Sequence, residues 1–308
     1  MNPGNRRAIV AALFANSGIA VLKFIGWSFT GASSLLAEAV HSVADTANQA
    51  LLLWGNVAAK KAPTPDHAFG HGRERYFWAF VVSMVIFSLG GLFALYEGTL
   101  KLFSPHGLHE PAWAIGILLT GIIFEGLSLR TAVQVARQSK GSESWWAYIR
   151  RTKNPELPVV LLEDLGALAG LVLALMGIGL SIWTGNPRFD ALGSVAIGVL
   201  LVGIASLLAI EMKSLLIGES AGPKTESLIR SETLRHPAVR QLIQLRTQHI
   251  GPDDILVGAK VEFDPDLSFR DLSAVINEVE ASIRKAVPFS ALIYIEPAVD
   301  PDPPDGDS

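Results

Sequence analysis

Two short segments of this 308-residue chain carry side chains that could do chemistry together. The first is Glu38-Ala39-Val40-His41-Ser42-Val43-Ala44-Asp45-Thr46-Ala47-Asn48. On a helix His41 and Asp45 stand one turn apart on the same face, and Glu38 and Asn48 extend that stripe one step each way. An imidazole and a carboxylate so placed can hold one divalent cation, and mixed N/O donors suit Zn²⁺. The same pair can serve as a structural His–Asp hydrogen bond, and so short a pattern does not choose between the two. The second segment is Glu163-Asp164, set among apolar residues and followed by Gly166 and Gly170 at small-x-x-x-small spacing. Small residues so spaced let a neighbouring helix come close. Its bland alternative is a pair of polar groups satisfied by partners near a helix entrance.

The elements that would position these residues are membrane helices. Half the residues are hydrophobic, only 18% are charged, and mean hydropathy is +0.37. A soluble protein has about a quarter of its residues charged. Six stretches reach the roughly 20 apolar residues that a bilayer span needs: Ala8–Phe29, Ser33–Ala59, Tyr76–Leu100, Ala112–Ala136, Leu157–Thr184 and Ala191–Ile210. The first is too long for a cleaved signal peptide and no small-residue cleavage site follows it. Arg6, Arg7, Lys60, Lys61, Arg73, Arg75, Arg137, Lys140, Arg150, Arg151 and Lys153 crowd the N-terminus and alternate connections, while the others hold only Lys101 and Arg188. Lys and Arg concentrate on the cytoplasmic side, so both termini are expected there.

The net charge of −4 divides into +3 for residues 1–214 and −7 for residues 215–308. Beyond Lys213 the pattern becomes that of a small α/β domain, residues 215–298. It reads as a helix over Thr225–Arg235, strands Leu242–His249 and Ile255–Phe263, an amphipathic helix Phe269–Val287 and a strand Leu292–Glu296. Residues 299–308 read as a disordered acidic tail. The absence of Cys excludes disulfides, thiolate metal sites and Cys nucleophiles. No Walker A motif, nucleophile–base set or basic–aromatic patch is present, so neither an ATPase, another enzyme nor a nucleic-acid binder is expected.

Depth supports a shared site. At about 1.5 Å per residue, Asp45 lies roughly 18 Å from Ser33, or about 12 Å from the far edge of a 30 Å core. Asp164 lies roughly 10–13 Å from that same edge if its span starts near Glu156. Carboxylates at such depth cost several kcal/mol on insertion scales and usually mark a transport path or a paired contact. Glu125, in the fourth span, is a further intramembrane acid, for proton movement or helix pairing.

The ordered set His41-Ser42-Val43-Ala44-Asp45, His67-Ala68-Phe69-Gly70-His71-Gly72-Arg73 and Leu162-Glu163-Asp164 resembles the cation diffusion facilitator, or zinc transporter, family across about residues 6–298. The resemblance implies six transmembrane helices, a ferredoxin-like cytoplasmic domain, homodimers, and exchange of Zn²⁺ or a similar ion for protons. It implies His41, Asp45 and Asp164 as metal ligands. The family's fifth helix carries His-x-x-x-Asp or Asp-x-x-x-Asp, but here the first position is Val160, which cannot ligate. The segment is most similar to a subgroup with Glu-Asp, which includes an animal zinc transporter of mitochondria. With antiparallel helices, His41 is expected level with Asp164 and Asp45 level with Val160, leaving Glu163, Asn48 or a water to fill the vacancy. His67 and His71 imply a second, cytoplasmic-side metal position or simply a structural loop. The C-terminal domain is expected to dimerise without a metal cluster. His236, His249 and Glu296 read as ordinary surface residues, and His106 and His109 as exposed loop residues.

The expected function is thus secondary export of Zn²⁺ for protons, with no prosthetic group, in the lipid bilayer of a bacterial inner membrane. His41 is the natural proton carrier. Rivals are a Mn²⁺, Fe²⁺ or Co²⁺ exporter, favoured when oxygen replaces nitrogen among the ligands, and a membrane scaffold or regulator that does not transport.

Overall fold

A computed structural model describes residues 3–105 and 107–298, with side chains described from residue 17 onward. His106, the Arg6 and Arg7 side chains and the 299–308 tail lie outside the described residues. The helices run α1 (Pro3–Thr30), α2 (Ser33–Ala58), α3 (Glu74–Val85), a π-helical segment (Ile86–Leu92), α4 (Phe93–Phe103), α5 (Pro111–Lys140), α6 (Trp145–Arg151), α7 (Glu156–Thr184) and α8 (Arg188–Ile217). Among the described residues four helical rods are long and apolar enough to cross a membrane: Glu74–Phe103, Pro111–Lys140, Glu156–Thr184 and Arg188–Ile217. The α2 helix differs because it carries the polar stripe Glu38, His41, Asp45 and Asn48, all buried.

Gly31 takes a positive φ of 65°, which lets α1 stop and α2 restart two residues later without a β-carbon clash. Two features were not expected from the sequence. The third apolar stretch is interrupted by the π-helical turn, and Ser144 caps the short α6 by accepting from the Ala147 N–H at 3.2 Å. Around and beyond the π turn small residues bring α4 and α8 together. A β-carbon on Gly98 would meet Val195 and the Ala191 carbonyl, and one on Gly198 would meet Leu95. Large apolar side chains such as Ile123, Phe124 and Leu127 face outward, as lipid contact requires.

The chain forms two compact units, residues 1–58 with 75–213, and residues 59–74 with 214–308. In the second, α9 (Pro223–Arg235) precedes β1 (Val239–His249), β2 (Asp254–Phe263), α10 (Phe269–Ala286) and β3 (Ser290–Ala298). The sheet order is β1-β2-β3, with β1–β2 antiparallel and β2–β3 parallel. Alternation in β2 buries Ile255, Val257, Ala259, Val261 and Phe263 on one face, against Val275, Val279 and Ile283 of α10. The α10 crossover is what allows the parallel pairing. The 59–74 loop belongs to this unit: the Gly72 backbone packs so closely on Ile250 and Gly251 that a β-carbon would fall 2.8 Å from the Ile250 carbonyl oxygen.

Candidate metal centre

The polar stripe of α2 is held at its N-terminus by Asp190, at the start of α8. The Asp190 carboxylate accepts from Ser33 N–H at 2.8 Å, Ser33 Oγ at 3.2 Å, Ser34 N–H at 3.4 Å and the Ser34 hydroxyl. Lys101 of α4 donates to the same carboxylate at 2.8 Å and to the Gly31 carbonyl at 2.6 Å. Lys101 and Asp190 are fully buried, so Lys101, counted from the sequence among the basic residues of a connection, is instead an interior charge near the end of α4. The start of α7 is tied to α3 by a bidentate pair, Arg75 to Glu156 at 2.5 and 2.7 Å.

Between these anchors α2 and α7 face each other. Asp45 and Glu163 are in direct side-chain contact, and Asn48 donates to Glu163 Oε1 at 2.9 Å. A β-carbon on Gly170 would collide with Glu38, which sets the register of the two helices. Asp45 therefore lies level with Glu163, about one turn away from the expected pairing with Val160. Asp164 turns toward α5, where Ser128 Oγ donates to its carboxylate at 2.9 Å. Val160 shares that α5-facing groove with Ser128 and Asp164. Gly166 admits the side chains of Ile204 and Leu201 from α8, while Gly170 admits Glu38 from α2.

Asp45, Glu163, Asp164 and Glu125 line one small cavity of about 10 Å³, with Ser42, Gln49 and Ser128 beside them. That is about the space of a single water or small ion. His41 is not among the lining residues. Its ring nitrogens have no hydrogen-bond partner, Nδ1 lies 3.5 Å from Asp45 Oδ1, and the ring abuts Gly90 of the π turn. Asp45 Oδ1 is likewise buried without a partner. Among the described residues no three His, Asp or Glu side chains converge tightly enough to cage an ion as they stand. Next to the cavity Lys23 of α1 is fully buried, donating to Ser42 Oγ at 2.7 Å and pairing with Glu38 at 3.1 Å. The sequence showed Lys23 only as a lone charge in an apolar span; its spacing offered no signal of the partner.

The remaining histidines separate into distinct cases. His67 and His71 stack with ring centroids 4.6 Å apart, and His71 Nδ1 is buried without a partner. Asp66 is exposed beside them. His236 pairs with Glu278 at 3.1 Å and also accepts from Ala238 N–H. His249 is not a surface residue: it is 1% exposed and packs edge-on against Phe289, because it closes the buried side of β1. Glu296 pairs with Lys260 at 3.3 Å, and His109 is exposed.

Comparison with known proteins brings two family profiles into register with this architecture. The cation efflux transmembrane domain matches residues 9–217, and the cation efflux protein cytoplasmic domain matches residues 222–298. A Xenopus laevis protein named proton-coupled zinc antiporter SLC30A9, mitochondrial, is 32% identical over 284 residues, covering 90% of this chain and 51% of that protein. Its Homo sapiens counterpart is 30% identical over 263 residues, covering 85% and 46%. The chain spans about half the length of these curated relatives. The cation-efflux pump FieF of Pectobacterium atrosepticum is 26% identical over 298 residues, covering 95% of this chain and 94% of that protein.

Proposed function

The chain belongs to the cation efflux family, and from that premise we propose that it is a secondary transporter exporting a divalent cation, Zn²⁺ first, in exchange for protons. The observation that carries this reading is the cavity where Asp45 of α2 meets Glu163 and Asp164 of α7, acids of two helices around space for one ion. Metal binding requires ionised carboxylates and a neutral imidazole, so loading an ion expels protons from the same groups. Opening the cavity alternately to each side turns that competition into exchange.

In this reading His41 joins from its position beside Asp45 and carries a proton between metal cycles, and Asn48 orients Glu163. His67 and His71 form an auxiliary metal position in the loop. Helices α1, α2, the α3–α4 rod, α5, α7 and α8 make six spans in residues 1–214. Both termini are cytoplasmic, on the distribution of Lys and Arg. Residues 215–298 form a ferredoxin-like domain through which two copies associate, a reading supported by the matched cytoplasmic-domain profile. The membrane is a bacterial inner membrane.

The test is reconstitution of the full chain into vesicles with a pH gradient. Zn²⁺ flux that follows the gradient and vanishes in Asp45→Asn is the expected outcome; flux indifferent to the gradient removes the proton exchange, and flux retained in the variant removes the site. A Mn²⁺, Fe²⁺ or Co²⁺ cargo is the second reading, favoured because the cavity lining supplies oxygen donors while His41 stands aside. Competition among these ions for transport separates the two.

A further inference from the structure

A fourth acid, from a third helix, lines the cavity. Glu125 lies on α5, one turn before Ser128, the residue that bonds Asp164. It lines the same cavity as Asp45, Glu163 and Asp164, and its charge reaches all three. It is part-buried in a helix long and apolar enough to cross a membrane, and among the described residues it forms no hydrogen bond or ion pair. Lys23, the charge of opposite sign that acts on it, is engaged by Glu38 and Ser42. A carboxylate at membrane depth without a partner costs several kcal/mol unless something binds it.

The groove around Val160 adds a second observation. Val160 opens toward α5 together with Ser128 and Asp164, so the face from which an α7 ligand is missing is the face that α5 covers. The structure therefore assigns Glu125 as a cargo-binding residue: we propose that α5 supplies, through Glu125, the ligand that Val160 cannot. Asp45, on the wall of the same cavity, is buried with its Oδ1 accepting no hydrogen bond and lying 3.5 Å from His41 Nδ1, so its bonding capacity is left for a cation to complete. The resulting set, with acids from α2, α5 and α7, is rich in oxygen and suits a divalent cation that tolerates carboxylate ligands. This inference rests on the cavity's being the cargo site.

The experiment measures Zn²⁺ and Mn²⁺ affinity calorimetrically on the purified full-length protein, beside its melting temperature. Wild type is compared with Asp45→Asn, Glu125→Gln and the double variant Glu125→Gln with Val160→Asp. Loss of a ligand is expected to weaken binding roughly 10- to 100-fold in Glu125→Gln, at least the range seen for outer-shell partners. An acid returned at position 160 is expected to recover most of that loss. Wild-type affinity in Glu125→Gln, with binding abolished in Asp45→Asn, overturns the assignment and leaves the cavity reading intact. An altered pH profile of transport in Glu125→Gln at unchanged affinity overturns it too, because Glu125 would then handle protons alone. Wild-type affinity in Asp45→Asn overturns the cavity reading and this inference with it. Should Glu125→Gln not fold, Glu125→Leu, which removes the charge and suits an apolar helix, gives the same readout.

Discussion

Among the described residues the helical unit buries two clusters of ionisable side chains, and they are built on opposite principles. Around Asp190 every group has partners: two backbone N–H groups, two hydroxyls and the Lys101 ammonium converge on one carboxylate, and Lys101 also reaches a carbonyl. Around Asp45 the satisfaction is incomplete. Asp45 Oδ1, both His41 nitrogens and Asn48 Oδ1 are buried without partners, and acids face acids. A fully paired network rigidifies the fold, whereas a half-paired one is costly unless a ligand completes it. Burial of charge alone therefore does not single out the candidate site; unmet hydrogen-bonding capacity among facing acids does.

Four experiments break or sharpen that contrast. The largest effect is expected at the incomplete cluster, where Asp45→Asn should lower Zn²⁺ flux in vesicles about 100-fold or more while leaving the melting temperature close to wild type. At the complete cluster the outcome should invert. Asp190→Asn leaves Lys101 buried without its counter-charge and should cost about 3–5 kcal/mol of stability, read by thermal unfolding, with little change in metal affinity of the molecules that fold. Replacing Lys101 and Asp190 together by apolar residues should recover part of it. If Asp190→Asn instead weakened metal binding at unchanged stability, the division between the clusters would collapse.

The third experiment is a pH series. Zn²⁺ affinity should fall as pH drops, because protons compete for the same donors, by up to about tenfold per pH unit for each proton displaced. A flat profile between pH 5.5 and 7.5 would mean that no ligand titrates there and would remove the basis for exchange. The smallest effect belongs to the 59–74 loop. His67→Ala with His71→Ala should change vesicle transport less than about twofold and stability by about 1 kcal/mol, because His71 is half-buried and stacked on His67. A tenfold loss of flux would promote that loop to a required metal position.

Much of the fold was legible because length and periodicity report directly on burial. The four apolar rods and the helix–hairpin–helix–strand order of the C-terminal unit fall near their expected bounds. Alternation in Ile255–Phe263 identified the strand, and the spacing of Leu272, Val275, Ile276 and Val279 the inner face of α10, where Val275 and Val279 are buried and Leu272 and Ile276 half-buried. The π turn was not legible, since Ile86–Leu92 is as apolar as a regular helix, and its widened backbone is visible only against α2 and α8. His249 was misplaced because one histidine on a half-buried strand carries no sign of its inward face until Phe289 packs on it.

For the candidate site, the residue types and the faces they occupy follow from sequence, because helical geometry alone puts His41 beside Asp45 and Glu38 and Asn48 on the same stripe. Glu163 and Asp164 were legible as the acids of the facing helix. Axial offset was not, since it depends on how far one helix slides along another. Gly170 admitting Glu38 places Asp45 opposite Glu163, and Val160 turns to α5. Nor could spacing couple residues on different helices, so Lys23 with Ser42, Lys101 with Asp190 and Ser128 with Asp164 arise only on packing. The sequence by itself determined the membrane character, the two-part organisation and the chemistry available. The tertiary structure decided which of the buried charges are already satisfied and which are left facing an empty space, because satisfaction depends on neighbours that local pattern does not name.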